Sequence, residues 1–199
     1  MKTNIAKTQK TAESAIMVAL SLALCWVSEI LPWPFLQGGS VTPFAMVPLI
    51  IIGYRHGTKQ GLLTAFVFSL FEMMLGFRNF SFVTGIFAYI VLALTDYIVA
   101  YSVMGLGGIF KGKFGSRQSV ELAAAGVFCC LLRFICHFIS GIVIWSGYCP
   151  EGQAVWIYSL TYNGSYMLPE TVITAVGLAA VGSILNFTGK DISKNKNKM

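Results

Sequence analysis

Residues 131–148 read LLRFICHFISGIVIWSGY. The run is apolar enough to cross a bilayer, yet Arg133 and His137 sit in its middle and Trp145 near its end. A charge at bilayer depth costs at least about 2.5–3.5 kcal/mol on insertion scales, so the surrounding structure must recover that cost. Arg133, His137, Gly141 and Trp145 are spaced by four, which on a helix of about 3.6 residues per turn makes one slanting stripe. The stripe runs from an indole at the outer end, past a glycine that leaves room for something flat, to an imidazole and then a guanidinium. That sequence of groups describes the wall of a polar cleft better than a lipid face. His137 faces the cleft on this reading. Arg133 lies a turn nearer the cytoplasm, below the cleft floor, and pairs with a carboxylate or with helix-end carbonyls.

Working outward, the composition assigns the class. The chain has 199 residues, 56% hydrophobic and only 11% charged, against about 25% charged in soluble domains. Apolar runs recur along it, each interrupted by turn residues. They predict an all-α membrane protein with six spans: about 12–31, 42–54, 60–77, 82–110, 120–146 and 168–187. The second is short, and the fourth is long enough to bend. Three segments follow: a cytoplasmic stretch 1–11, a six-helix membrane domain 12–187, and a basic cytoplasmic tail 188–199. Cys25, Cys129, Cys130 and Cys136 read as buried thiols and Cys149 as an exposed one, with no CxxC or metal spacing.

Lys and Arg give the orientation. With six spans, every Lys and Arg except Arg78 and Arg133 falls on one side, in the N-terminus, the loops holding Arg55 and Lys59 and Lys111 to Arg117, and the tail. Both termini are therefore expected in the cytoplasm. The net charge of +6 is explained by this bias, and nucleic acid is not an expected partner.

The unusual chemistry lies on the outer side. The stretch 146–170, SGYCPEGQAVWIYSLTYNGSYMLPE, reads as an outer loop rich in aromatics without Lys or Arg. The first outer loop, LPWPFLQGGSVTP, carries Trp33 between prolines and the Gly38-Gly39 pair. Together they could form an aromatic lid, though interfacial aromatics also serve as lipid anchors. The acids near membrane depth are Glu72 and Asp96, with Glu29 and Glu170 nearer the outer ends. Carboxylates, His137, Trp145, Tyr158 and Asn163 suit a small flat ligand with a cationic part, through charge and cation–π contact. No nucleotide-binding loop, HExxH or GxSxG is present, and two histidines far apart make no metal site. An intramembrane acid–base enzyme using Asp96 and His137 stays open as an alternative.

The run RFxCHFxSGxxxW, continued by WIYSLTYNGSYxLPE, resembles the thiamine-specific S-components of energy-coupling-factor (ECF) vitamin transporters, as do TDY and AMVPLIIIGYRHGTKQGLLTA. The likeness spans about 12–187. It implies a multi-pass cell-membrane subunit that captures thiamine from outside, needs no cofactor, and relies on a membrane coupling subunit and two ATPase subunits for uptake. An S-component for another vitamin is a second possibility. The family's ligand carboxylate and following tyrosine fall on Asp96 and Tyr97, its histidine and tryptophan on His137 and Trp145, and its loop tyrosine and asparagine on Tyr158 and Asn163. Glu72 is held as a further candidate. Ala15, Ala19 and Ala23 form a small-residue stripe on the first helix, where the resemblance places docking of the coupling subunit.

Overall fold

The computed structural model describes residues 2–30, 40–115 and 117–187, and these are helical with no strand. The expectations for Trp33, Gly38-Gly39 and the tail from residue 188 lie outside the described residues. Helix α1 spans Lys2–Ile30, starting ten residues before the predicted span. It buries Ser14, Val18, Ser21, Cys25 and Ser28, a seam of alternating four- and three-residue steps whose small side chains permit close approach. The other face carries Ile16, Trp26 and Ile30 to the outside. A long helix with an apolar outward face and a small-residue inner seam belongs in lipid.

Helix α2 (Val47–His56) has Pro48 in its first turn, where a missing N–H costs nothing. Every residue from Val47 to Tyr54 is buried. At about 1.5 Å per residue it spans only about half of the hydrocarbon core. It is a central core helix rather than a lipid-facing one. Residues 40–42 before it are irregular and 43–46 form a turn, and the buried Thr42 backbone N–H donates to Glu170 Oε2 at 2.7 Å. Irregular backbone survives at membrane depth only where protein satisfies it in this way. Phe44 takes a left-handed φ of 63°, and its ring fills the space above Gly177, where any Cβ would collide with it.

Gly57, at φ 91°, turns the chain from α2 into α3 (Thr58–Leu75). A 3-10 turn at Phe77–Phe82 leads to α4 (Ile86–Phe110). Helix α4 is not uniform. It is α-helical to Leu92, widens to π geometry over Ala93–Ile98, and tightens to 3-10 geometry over Val103–Phe110. The tight end fits because Gly53, Gly61 and Gly105 meet backbone to backbone, so that a Cβ on any of them would strike main chain. Gly107 and Gly108 press on the backbone of α2 in the same way. This glycine knot locks α2, α3 and the end of α4 together.

Helices α5 (Gln118–Val143) and α6 (Val155–Ile184) form an antiparallel hairpin. The composition of residues 146–170 predicts a loop, with the last span beginning near 168. The loop is in fact much shorter, and α6 runs through Pro169. Aromatic and polar side chains that resemble a loop in composition are here one face of a helix. A proline inside a membrane helix is tolerated when neighbouring helices re-satisfy the freed groups. α1 from Lys7, α4, α5 and α6 are each long and apolar enough to cross a membrane.

One end of the bundle gathers the cations. Glu13 of α1 accepts from Arg55 Nε and lies against His56 Nε2, both at 2.7 Å. Lys111 reaches the Arg55 carbonyl, and Tyr54 donates to the buried Glu121. Gln118 binds the carbonyls of Gly182 and Leu185 at the end of α6. The ends of α2, α4, α5 and α6 and the Glu13 turn of α1 are stitched there, where the clustering of Lys and Arg is expected. The acids Glu13 and Glu121, which do much of the stitching, were not anticipated.

Candidate functional site

At the opposite end a cavity of about 380 Å³ opens between α4, α5 and α6, within the size range of small-molecule pockets. It is built first by α4. The π turn adds one residue to the helical circuit, so that Asp96 and Tyr97, adjacent in sequence, both face the cavity together with Tyr101. Such widened turns often occur at functional sites. Tyr97 is fixed from behind. Its hydroxyl donates to the Gly76 carbonyl at 2.9 Å and accepts from Asn79 at 2.8 Å. Its ring stacks on Phe80, and a Cβ at position 76 would collide with it.

Helix α5 supplies the facing wall. Trp145 Nε1, just beyond the helix end, donates to Asp96 Oδ2 at 3.0 Å. His137 Nδ1 meets Asp96 Oδ1 at 3.2 Å. On the other side of the ring, Arg133 Nε donates to His137 Nε2 at 3.3 Å. Because Nε2 accepts, the ring hydrogen resides on Nδ1 and points at Asp96. Each oxygen of Asp96 thus takes one hydrogen bond from the protein and retains a free lone pair.

Arg133 is the hub behind this pair. It is 4% exposed, sits 4.5 Å over the Tyr101 ring, donates through Nη2 to the Tyr101 hydroxyl at 3.2 Å, and lies 3.7 Å from Glu170 Oε1 through Nη1. The expected carboxylate partner is therefore Glu170, on α6. The expectation that Arg133 lies below the cavity is corrected: the guanidinium forms part of the lining. Four-residue spacing carries it inward along the same stripe as His137.

Gly141 stands at both the cavity wall and a helix contact. It lines the cavity beside His137, and a Cβ there would meet the Ser159 side chain and the Asn163 amide, so the glycine also serves the contact of α5 with α6. Asn163 occupies that contact. Its amide nitrogen donates to the carbonyls of His137 and Ser159, at 3.2 and 2.9 Å, and its oxygen accepts from Tyr166 at 2.6 Å. It lines the cavity mainly as a buried strut. Tyr158 lines it too, stacked on Tyr162 with centroids 5.8 Å apart.

Of the residues singled out from sequence, Asp96, Tyr97, His137, Trp145, Tyr158 and Asn163 converge on the cavity. Glu72 does not. It lies on the α1 side of the wall near Cys25 and Tyr101, with Oε1 buried and without a hydrogen-bond partner. Tyr162 and Tyr166 were missed. Their signal is present in YSLTYNGSY: Tyr158, Tyr162 and Tyr166 are spaced by four, a stripe that becomes visible once the segment is read as helix. Tyr101 could have been found as the residue one helical turn beyond Tyr97. Among the described residues there is no metal-ligating cluster.

Residues 11–186 match the family described as Thiamine transporter protein (Thia_YuaJ). The chain belongs to this family. It is similar to the thiamine transporter ThiT of Bacillus subtilis (strain 168), 38% identical over 176 residues, covering 83% of this chain and 86% of the relative. The thiamine transporter ThiT of Lacticaseibacillus paracasei is 28% identical over 195 residues, 90% of each chain. The solved structure of ThiT from Listeria monocytogenes superposes with a TM-score of 0.72 at 17% identity, covering 90% of this chain and 96% of that one; this likeness shows the shared fold. Membership of the thiamine transporter family, with helices apolar enough to span a bilayer, makes the chain a multi-pass protein of the cell membrane.

Proposed function

We propose that the chain is the substrate-binding membrane subunit of an ECF-type transporter and captures thiamine from outside for ATP-driven uptake by partner subunits. The observation that supports this best is Asp96: a carboxylate inside an aromatic-walled cavity, held by His137 and Trp145 with free lone pairs. Thiamine offers a cationic ring for that charge and flat faces for Trp145 and Tyr158. His137, Tyr97 and Asn163 shape the site, and Glu72 stands outside it. The relatives are named transporters, which favours capture over acid–base catalysis by Asp96 and His137.

In this reading α2 with the irregular segment 40–46 before it, and α3, complete six membrane crossings with both termini in the cytoplasm, and the segments 1–11 and 188–199 flank the membrane domain. The coupling subunit, carrying two ATPases, docks on Ala15, Ala19 and Ala23, which lie on the outward face of α1. The test is titration of the purified protein with thiamine, followed by tryptophan fluorescence. Saturable quenching that is lost on replacing Trp145 is expected. Absence of saturable binding, or turnover of the ligand, rejects the reading.

A further inference from the structure

A guanidinium in the wall of a cavity proposed for a cation is an apparent contradiction. Arg133 lines the cavity and would repel the ligand that Asp96 attracts. The resolution lies behind the wall. Glu170 does not line the cavity. It is 1% exposed, faces Arg133 Nη1 at 3.7 Å, and is fixed by two hydrogen bonds from Thr42, at 2.7 and 2.8 Å. Asp96, by contrast, is held by an imidazole and an indole, and among the described residues no Lys or Arg forms an ion pair with it. The charges therefore divide unequally: Arg133 is paired with Glu170, Glu72 stands outside the cavity on the α1 side of Tyr101, and Asp96 is left over.

We propose that Glu170 is a specificity-determining residue: by matching Arg133 from behind, it leaves Asp96 as the net negative charge of the cavity and so makes the site select a cationic ligand over its uncharged isostere. This rests on the reading above that the ligand is thiamine. Thr42 has a part in it, because its two hydrogen bonds hold the Glu170 carboxylate at the guanidinium. Without the Glu170 charge, Arg133 would offset more of the Asp96 charge through His137, and the cavity would lose much of its pull on a cation.

The test compares two probes by calorimetry in detergent: thiamine, and an analogue in which an uncharged thiophene replaces the thiazolium. The wild-type chain is expected to prefer thiamine. Glu170→Gln keeps the shape and an oxygen for Thr42 but removes the charge. It is expected to reduce the preference about 5- to 150-fold, the usual range for coupling between linked sites. The double variant Arg133→Met/Glu170→Gln removes both charges together and is expected to restore it. A purely structural role for Glu170 would weaken both probes alike and leave their ratio unmoved, and that result overturns the proposal. Should Glu170→Gln fail to fold, Glu170→Asp, which draws the charge back by one methylene, carries the test: a reduced ratio supports the proposal and an unchanged one overturns it. A wild-type chain that binds neither probe rejects the thiamine reading itself, whereas tight thiamine binding with an unmoved ratio in the variants rejects only the role of Glu170.

Discussion

Asp96 and Arg133 are the two charges that the cavity wall presents, and each is expected to respond differently to removal. Asp96→Asn keeps the side-chain size and one acceptor oxygen, so the His137 contact can persist while the charge disappears. Thiamine affinity measured by calorimetry is expected to fall by about 1.5–3 kcal/mol, the scale of a hydrogen bond to a charged group. Unchanged affinity would remove Asp96 from the site. His137→Ala takes away the N–H that aims at Asp96 and is expected to weaken binding while the folded yield holds. Arg133→Ala is expected to do most of its damage to the fold. It strands the buried Glu170, and breaking a buried pair on one side costs about 3–5 kcal/mol. Thermal unfolding of the two variants beside their thiamine titrations separates these roles. A His137→Ala protein that binds normally, with an Arg133→Ala protein that is stable but does not bind, would reverse the assignment.

At the scale of elements, the contact between α5 and α6 depends on Gly141. Ser159 donates to the Phe138 carbonyl at 2.8 Å directly beside it. Gly141→Val would force the helices apart, with a cost of about 1–3 kcal/mol for overpacking and a displaced Asn163. A lower unfolding temperature together with weaker binding is expected, and an unaffected protein would show that the helices have slack. On α1, Ala19→Trp is expected to leave thiamine binding to the isolated subunit intact and to abolish uptake by the full complex. Normal copurification with the partner subunits would contradict the docking proposal. The sequence made the lipid-crossing helices legible because long apolar runs have few other uses, and Asp96 and His137 stood out because polar groups are costly there. The start of α6 was hidden because residues 155–167 carry their aromatic and polar groups on a helix face, a composition shared with loops. The π turn was hidden for another reason. ALTDYI is an ordinary helical hexapeptide, and its widening is tied to where Tyr97 meets Gly76 and Asn79 across the bundle. No local pattern records such a contact. Gly141 was half legible: a glycine beside a cleft and a glycine between helices look alike until the neighbouring helix is in place, and this one is both.

For the whole molecule, one end is cationic and tightly stitched, and the other is open around the cavity. If the stitched end is cytoplasmic, a cysteine placed at exposed Glu151 in a cysteine-free background is expected to react with a membrane-impermeant maleimide on intact cells. One placed at Lys113 is expected to react only after lysis. The reverse pattern would invert the topology and put the cavity mouth on the wrong side for uptake. The buried α2 bears on how the chain enters the membrane at all. A segment of about half the hydrocarbon thickness has little to hold it in lipid as it leaves the ribosome. Its packing surface is not complete until Gly105, Gly107 and Gly108 have been synthesised about fifty residues later. Insertion of α2 is thus expected to be delayed and post-translational in character, drawn in by the arrival of α4. Nascent chains halted after α3 are expected to leave α2 open to protease, and those halted beyond α5 to protect it; equal protection at both lengths would show that α2 seats itself unaided.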